Sequence, residues 1–198
     1  MDIMIIVYAV LAYFIGSIPS GLIIGKTFFN TDVRQYGSKN IGATNTYRVI
    51  GLKAALPVFL CDALKGAAGV VLLSSYGPMY MILGGILAMM GHNWSIFLEF
   101  KGGRGVATGL GVLIALSPLV ALICFLVWGI IVYFTKLVSL GSIVAAALVP
   151  VLMYVTGESY WFVGFGGLAA LFVIVRHWDN IKRLLAGNEL KVERIKKD

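Results

Sequence analysis

The stretch that decides the fold is Val106–Phe134, VATGLGVLIALSPLVALICFLVWGIIVYF, which contains no charged side chain. As one straight helix it would be about 43 Å long, well beyond the roughly 30 Å hydrocarbon core of a bilayer. Near its middle lies Ser117-Pro118, and a proline interrupts the hydrogen bonding of a helix. The stretch therefore predicts two short membrane passes that turn near Pro118.

The rest of the chain has the same apolar character. Its 198 residues are 60% hydrophobic and 13% charged, with a mean hydropathy of +0.93, whereas soluble domains are about 45–50% apolar and about a quarter charged. This excess of apolar surface needs lipid, which argues against a soluble domain and against disorder. Cys61 and Cys124 both lie in apolar stretches and indicate packing rather than a disulfide. We expect an all-α, polytopic integral membrane protein with one domain, 1–198.

Six stretches are apolar and long enough to cross a bilayer, which takes about 17–25 residues. With the turn near Pro118 they give seven transmembrane helices. No basic region or cleavage site marks a secretory leader, so the first stretch is expected to stay as a span. The stretches are 3–25, 54–76, 79–98, 106–134, 137–156 and 160–175.

The basic residues predict which way these spans face. Of the 16 Lys and Arg residues, all but Lys65 lie in segments that seven crossings place on one side, including Lys196 and Lys197 in the tail. Because basic loops stay in the cytoplasm, we expect the N-terminus outside and the C-terminus cytoplasmic. A single crossing by 106–134 would put Lys136 and the basic tail outside. Five crossings with re-entrant segments satisfy the same rule.

Four polar segments fall on the predicted cytoplasmic face. Glycine lets consecutive amides point into one concavity, Ser, Thr and Asn add neutral donors, and Arg or Lys adds charge, which together suit a phosphate. Lys101–Gly105, KGGRG, leads into a helix expected to begin near Val106, whose N-terminus also favours an anion. The four segments are 37–48, 91–105, 138–142 and 176 onward.

Charged residues inside the spans are candidates for function. Asp62 and Lys65 lie three residues apart, share a helix face and are expected to pair; a supporting role near the site is the alternative. Neither His92 nor His177 has cysteine or carboxylate partners at metal-ligand spacing, so no metal site is predicted.

Small residues in the first span have a separate explanation. Ser20–Thr27, SGLIIGKT, is close to a nucleotide-binding loop, but it lies inside the span with no preceding strand to present a loop. Ser17, Gly21 and Gly25 recur every four residues and instead predict a close helix-packing face.

The strings GSKNIGATNTYRVIG, GHNWSIFLEFKGGRGVAT, VSLGSI and RHWDNIKRLLAGNE, in this order, resemble the bacterial acyl-phosphate:glycerol-3-phosphate acyltransferases, the PlsY family. The similarity covers almost the whole chain. It implies a compact seven-span fold in the bacterial cytoplasmic membrane, with the active site facing the cytoplasm. The implied reaction transfers a fatty acyl group from acyl phosphate to the 1-hydroxyl of glycerol 3-phosphate, which gives lysophosphatidic acid and phosphate, the first step of phospholipid synthesis.

The implied partners are acyl phosphate, glycerol 3-phosphate and membrane lipid, with no cofactor, no metal and no nucleic acid. The net charge of +7 is then explained by topology and by two phosphorylated substrates. The reaction implied is direct attack by the glycerol hydroxyl, with a substrate phosphate oxygen taking the proton and His177 mainly ordering the site.

The resemblance also assigns roles to individual residues. Three positions depart from the family pattern, which usually has lysine at Arg104, glycine at Lys39 and proline at Ser95. The catalytic residues implied are Ser38, Arg48, Arg104, Ser142, His177 and Asn180. The residues implied to bind substrate or phosphate are Asn40, Thr44, Asn45, Lys101, Gly102, Gly103 and Glu189.

Three other classes of protein are alternatives to this family. Acyltransferases that use CoA or a carrier protein have an aspartate five positions after a histidine, where this chain has Phe97 and Lys182. An organic-phosphate transporter, the main alternative, would place polar groups near the membrane midplane and show repeated halves. A structural subunit would leave the glycine-rich loops unexplained.

Overall fold

The computed structural model describes residues 2–194, and every regular element in that range is a helix. The all-α prediction is therefore confirmed for that range, while Lys196 and Lys197 lie outside it. The helices group into two compact units, which are described separately. Unit 1 holds Met1–Val112 with the described part of Val192–Asp198, and unit 2 holds Leu113–Lys191. One domain over 1–198 stays a prediction.

The described part of unit 1 contains five complete α-helices and the start of a sixth. The stretch predicted as one span, 3–25, is broken at Ile18-Pro19, where its two helices meet at 45°. Proline has no amide hydrogen to continue the ladder of the first helix. The helices are α1 (Ile3–Ser17), α2 (Ser20–Phe29), α3 (Ala43–Val49), α4 (Leu52–Leu72), α5 (Pro78–Asn93) and α6 (Val106–Leu116).

Glycines let the long helices of unit 1 approach backbone to backbone. A Cβ at Gly16 on α1 would collide with the carbonyl of Ala88 on α5. A Cβ at Gly84 on α5 would collide with the carbonyl of Gly69 on α4. Small residues at such crossings replace side-chain layers by direct van der Waals contact, which drives helix association in lipid.

The packing face predicted for Ser17, Gly21 and Gly25 has a different partner from the one expected. The three residues are buried, but the break at Pro19 divides them between α1 and α2. A Cβ at Gly21 would collide with the carbonyl of Ile41, and one at Gly25 would lie 2.7 Å from that of Thr31. The closest approach at Gly21 and Gly25 is therefore to the loop that follows α2, whereas the sequence predicts an approach to a helix.

Unit 2 begins within α6, and the predicted break near Ser117-Pro118 is confirmed. The helix α6 ends at Leu116 and the next begins at Pro118. The Ser117 hydroxyl donates to the Glu158 carboxylate, which fastens this turn to the turn before the last long helix. The remaining helices are α7 (Pro118–Thr135), α8 (Val138–Val155), α9 (Tyr160–Arg176) and α10 (Trp178–Leu185).

The described helices can be compared with the thickness of a bilayer. Four are long and apolar enough to cross one, or six if the bent pairs α1 with α2 and α9 with α10 each count as one span. The 11 residues of α6 extend about 17 Å, roughly half of a hydrocarbon core. Seven crossings and their sidedness stay predictions. The four are Leu52–Tyr76, Pro78–Leu98, Pro118–Thr135 and Val138–Val155.

Reporter fusions test this topology. A phosphatase that is active only outside the cytoplasm should be active when fused after Pro118 and inactive when fused after Lys136, because the hairpin returns the chain to the basic side. Fusions after Tyr76 and Arg183 provide the outside and inside controls. A cytoplasmic Pro118 would rule out the hairpin.

Candidate active site

The first motif, Gly37–Arg48, is held in shape by the buried side chain of Asn45. Its Oδ1 accepts a hydrogen bond from the Ser38 amide at 2.9 Å. Its Nδ2 donates to the carbonyls of Val33 at 2.8 Å and Asn40 at 2.9 Å. Asn45 is 1% exposed, so these bonds replace the hydration that the amide loses on burial. In this structure Asn45 builds the loop that presents Ser38, and its contact with substrate stays a prediction.

The backbone conformation at Lys39 explains why the family usually has glycine at this position. Its φ is 57°, in the left-handed region that favours glycine. Its amide donates to the Tyr36 carbonyl at 3.0 Å and closes the turn. A lysine in this conformation costs roughly 1–2 kcal/mol relative to ordinary backbone. The departure from glycine therefore leaves the turn in place and adds a positive charge beside it.

Asp32 fastens the preceding loop to α2. Its carboxylate accepts a hydrogen bond from Arg34 Nη2 at 2.7 Å and lies 3.3 Å from Lys26 Nζ. The side-chain hydrogen bond from Arg34 holds the pKa of Asp32 well below its usual range. The stability contributed by the ionised carboxylate is complete above about pH 5 and is lost as the pH falls below the unfolded-state pKa toward the lower folded-state pKa. The loop is therefore charge-stabilised throughout the neutral range.

Helix α3 carries two further candidates, Thr44 and Arg48. They are one turn apart and therefore lie on the same helix face. Thr44 is partly exposed, whereas Arg48 is 5% exposed at the last turn. Arginine keeps its charge when buried and can hold phosphate with two parallel hydrogen bonds. This helix thus presents a fixed cation and a hydroxyl in unit 1.

The glycine loop of the second motif, 101–105, folds back onto the end of α5. The amides of Gly102 and Gly103 donate to the carbonyls of Asn93 and His92, both at 3.0 Å. A Cβ at Gly102 would collide with the His92 carbonyl, and one at Gly103 with the His92 imidazole. The close approach that these glycines allow is thus to α5, and their N–H groups are engaged there. Contact of Gly102 and Gly103 with substrate stays a prediction.

The same loop leads into α6, which begins at Val106 as predicted. Gly105 has a φ of 80°, and its carbonyl accepts from the Gly109 amide at 2.6 Å to close the first turn. The amides that precede this bond have no acceptor within the helix, so the helix presents its positive end here. Arg104 is partly buried and stands directly before that end. This is an arrangement that favours a phosphate.

Lys101, at the other end of the loop, differs from Arg104 in exposure. Its side chain is 84% exposed, and its Nζ lies 3.9 Å from the carboxylate of Glu99. An exposed pair at that distance stabilises little. The structure therefore distinguishes two loop cations that the sequence pattern treats alike, and it favours Arg104 as the preorganised one.

In unit 2 the carboxylate of Glu189 organises the polar end of the helices. It accepts hydrogen bonds from Ser139 Oγ at 2.9 Å, Asn180 Nδ2 at 2.5 Å and Arg183 Nε at 2.8 Å. The Glu189 side chain is 3% exposed, and three donors replace the water it has lost. Glu189 thus ties α8 and α10 to the segment after them, and a contact with substrate stays a prediction.

His177 lies at the 61° bend between α9 and α10. It is 2% exposed, and its Nδ1 is 2.8 Å from the Val173 carbonyl. Because a carbonyl can only accept, Nδ1 carries the hydrogen, and in the neutral imidazole Nε2 is the acceptor. Asn180, on α10, has a buried Oδ1 with no hydrogen-bond partner in the described structure. This Oδ1 suits a ligand that carries a hydroxyl.

Ser142 and Ser139 both lie in the first turns of α8. Ser142 is 3% exposed and donates to the Val138 carbonyl of its own helix at 2.8 Å. Ser139, which is not among the predicted site residues, donates its hydroxyl to Glu189. The three-residue spacing places both serines on one helix face and could have indicated Ser139.

The candidate residues thus form two groups, one in each unit. His92 is a further residue of unit 1 that contacts the loop of residues 101–105. No sequence pattern predicts this contact, because it depends on how the chain folds back after α5. Unit 1 holds Ser38, Asn40, Thr44, Asn45, Arg48, Lys101, Gly102, Gly103 and Arg104. Unit 2 holds Ser142, His177, Asn180 and Glu189.

The chain is similar to known proteins over almost its whole length. Residues 6–187 match the family model described as glycerol-3-phosphate acyltransferase. The chain is 46% identical to the glycerol-3-phosphate acyltransferase of Fusobacterium nucleatum, over 93% of this chain and 96% of that protein. It is 48% identical to glycerol-3-phosphate acyltransferase 2 of Moorella thermoacetica, over 92% of this chain and 95% of that protein.

Two crystal structures of PlsY (YgiH), an integral membrane glycerol 3-phosphate acyltransferase, have the same fold. The glycerol 3-phosphate form is 38% identical with a TM-score of 0.89, and the lysophosphatidic acid form is 37% identical with a TM-score of 0.87. Each comparison covers 94% of both chains. With its apolar helices, this likeness supports a multi-pass membrane protein. By family model, sequence identity and fold, the chain belongs to the glycerol-3-phosphate acyltransferase (PlsY) family.

Proposed function

We propose that this protein transfers a fatty acyl group from acyl phosphate to the 1-hydroxyl of glycerol 3-phosphate, giving lysophosphatidic acid and phosphate. The observation that carries the proposal is the loop that places Arg104 directly before the N-terminus of α6. Both substrates carry phosphate, which such an end favours. The family membership supports glycerol 3-phosphate as the acceptor, and the two PlsY structures are of forms with glycerol 3-phosphate and lysophosphatidic acid.

The proposed step is a direct transfer. The glycerol hydroxyl oxygen attacks the acyl carbonyl carbon and forms the ester bond. The bond between that carbon and the phosphate oxygen breaks, phosphate leaves with the electron pair, and a phosphate oxygen takes the hydroxyl proton. Because acyl phosphate is a mixed anhydride with a good leaving group, holding the phosphates and orienting the hydroxyl supply most of the rate. No strong protein base is required.

The candidate residues divide between these two tasks. Arg48 and Arg104 hold phosphate by charge, because each is a permanent cation kept partly or wholly out of water. Ser38, Asn40 and Thr44 add neutral hydrogen bonds in unit 1. In unit 2 we assign His177, Asn180 and Ser142 to orienting the glycerol hydroxyl, with the buried Asn180 Oδ1 as an acceptor that has no hydrogen-bond partner in the described structure.

The remaining candidates hold the site in shape. Asn45 and Glu189 do so through the hydrogen bonds described above, and Lys101 attracts anions from the exposed end of the loop. We place the reaction at the cytoplasmic face of the bacterial cytoplasmic membrane, where the basic loops are expected and where lipid can dissolve the acyl chain.

A donor assay tests the proposed function. Purified protein in detergent is given glycerol 3-phosphate with either palmitoyl phosphate or palmitoyl-CoA, and the lipid product is measured. Lysophosphatidate should form from palmitoyl phosphate and not from palmitoyl-CoA. Product from the CoA donor alone, or from neither donor, would overturn the acyl-phosphate assignment. Labelled palmitoyl phosphate without acceptor should leave no label on the protein, and a trapped acyl-enzyme would overturn direct transfer.

A further inference from the structure

A buried ion pair lies in α4 of unit 1. Lys65 Nζ is 2.7 Å from Asp62 Oδ1, and the two side chains are 5% and 3% exposed. The predicted pairing of these residues is confirmed. Lys65 Nζ also donates to the Ile18 carbonyl at 2.9 Å, at the break between α1 and α2. The ammonium therefore has one partner on its own helix and another at the break between α1 and α2, and the carboxylate is held in place with it.

The same carboxylate faces His92, in the last turn of α5. His92 is 3% exposed, and its Nδ1 lies 3.7 Å from Asp62 Oδ1. The opposite edge of the imidazole meets Gly103 of the glycine loop. A Cβ on that glycine would overlap the ring, because it would collide with Nε2 and lie only 2.8 Å from Cε1. The ring thus fills the space between the carboxylate on α4 and the backbone of the loop.

The backbone of His92 holds the same glycine. The Gly103 amide donates to the His92 carbonyl at 3.0 Å. His92 therefore contacts Gly103 with both its carbonyl and its ring. These two contacts set the distance between the loop and the end of α5, which we call the height of the loop. Arg104 is the next residue, so its Cα lies only about 3.8 Å further along the chain. A displacement of Gly103 is passed directly to Arg104 and to the first turn of α6.

Apolar side chains in place of Asp62, Lys65 and His92 could fill this space without the desolvation cost of the ion pair, which is several kcal/mol per ion before compensation. The polar cluster lies where the loop attaches to the helices. We infer that His92, oriented by the Asp62–Lys65 pair, is a positioning residue that sets the loop of residues 101–105 at the height required to bind a phosphate group. This inference rests on the proposed function, because it takes the loop to bind the phosphate of glycerol 3-phosphate or of acyl phosphate.

Steady-state kinetics of His92→Ala test the inference. The variant should raise the KM for one phosphorylated substrate by roughly tenfold to a hundredfold, because a shift of about 1 Å is sufficient for such a loss. The kcat should fall by a smaller factor than in a variant that lacks Arg104, because the guanidinium is displaced while its charge is kept. The substrate whose KM rises shows which phosphate the loop binds. His92→Gln, which keeps a polar side chain of similar length, should recover most of the loss.

Val70→Ala provides a matched control. Val70 is fully buried in α4 and does not belong to the cluster, so its truncation should lower the melting temperature and leave both KM values unchanged. A purely structural His92 would behave in the same way, with a lower melting temperature and unchanged KM values. That result would overturn the inference.

A compensation experiment keeps the test independent of how well His92→Ala folds. Gly103→Ala places a methyl group against the imidazole and should raise the same KM. Asp62→Asn, which keeps the shape and removes the charge that faces the ring, should raise it by a smaller factor. Adding His92→Ala to Gly103→Ala makes room for the methyl group and should recover activity relative to Gly103→Ala alone. Losses that simply multiply would contradict the inference.

Direct calorimetry of glycerol 3-phosphate and of inorganic phosphate separates this inference from the proposed function. If the wild type fails to use palmitoyl phosphate but binds phosphate, and His92→Ala weakens that binding, the donor assignment fails and the inference stands. If the wild type is active and binding by His92→Ala is unchanged, only the inference fails.

Discussion

Arg104→Ala is expected to lower turnover by roughly 10²–10³ while the protein stays folded, because the loss of one preorganised donor typically has this effect. Arg104 is partly buried and precedes the N-terminus of α6. Its charge therefore acts beside helix amides from a position partly shielded from water, where electrostatic interactions are stronger than in bulk water. The measurement is kcat with glycerol 3-phosphate and palmitoyl phosphate, with the melting temperature taken in parallel.

Two variants make this result specific. Arg104→Lys keeps the cation that the family usually has here and should retain most of the activity, although a point charge loses the bidentate geometry of arginine. Lys53→Ala removes an exposed cation from the start of α4 and should leave kcat unchanged. A wild-type rate for Arg104→Ala would remove this residue from the site.

Glu189→Ala is expected to destabilise the protein by about 3 kcal/mol, because it leaves buried donors without their carboxylate. The carboxylate accepts from Ser139, Asn180 and Arg183, and its side chain is 3% exposed. In a chain of this length that corresponds to a fall in melting temperature of roughly 6–12 °C. Activity should fall too, because Asn180 loses the bond that orients its amide.

Glu193→Ala is the matched control, because it removes the same charge from an exposed position in the same terminal segment. It should leave both the melting temperature and kcat close to wild type. If Glu189→Ala lowered kcat at an unchanged melting temperature, Glu189 would be a substrate contact, as the family resemblance implies, rather than a clamp between α8 and α10.

Several features could be predicted because they depend on short stretches of chain. The break at Ser117-Pro118 follows from the chemistry of proline, and the start of α6 at Val106 follows from the glycine-rich segment before it. The pairing of Asp62 with Lys65 follows from helix geometry, since residues three apart share a face. Four ordered motifs were specific enough to indicate the family.

Other features depended on which segments meet. The break at Pro19 was missed because the surrounding residues are apolar enough to resemble one continuous span. Gly21 and Gly25 were expected to pack against a helix, but they contact the backbone of a loop. Gly102 and Gly103 were expected to approach a ligand, and their amides are instead bonded to α5. In each case the spacing indicated a close approach and could not identify the partner.

The sequence by itself determined that the chain is helical and apolar and suited to a membrane, that a helix breaks at Ser117-Pro118, and that its polar motifs are those of one acyltransferase family. These properties add up residue by residue along the chain, so they can be read without knowing the fold. Only the tertiary structure decided that Asn45 and Glu189 hold their segments together, and that His92 lies between Asp62 and Gly103. Such contacts depend on how helices cross and how loops return to them, because a hydrogen bond requires an approach of about 3 Å that residue spacing cannot specify.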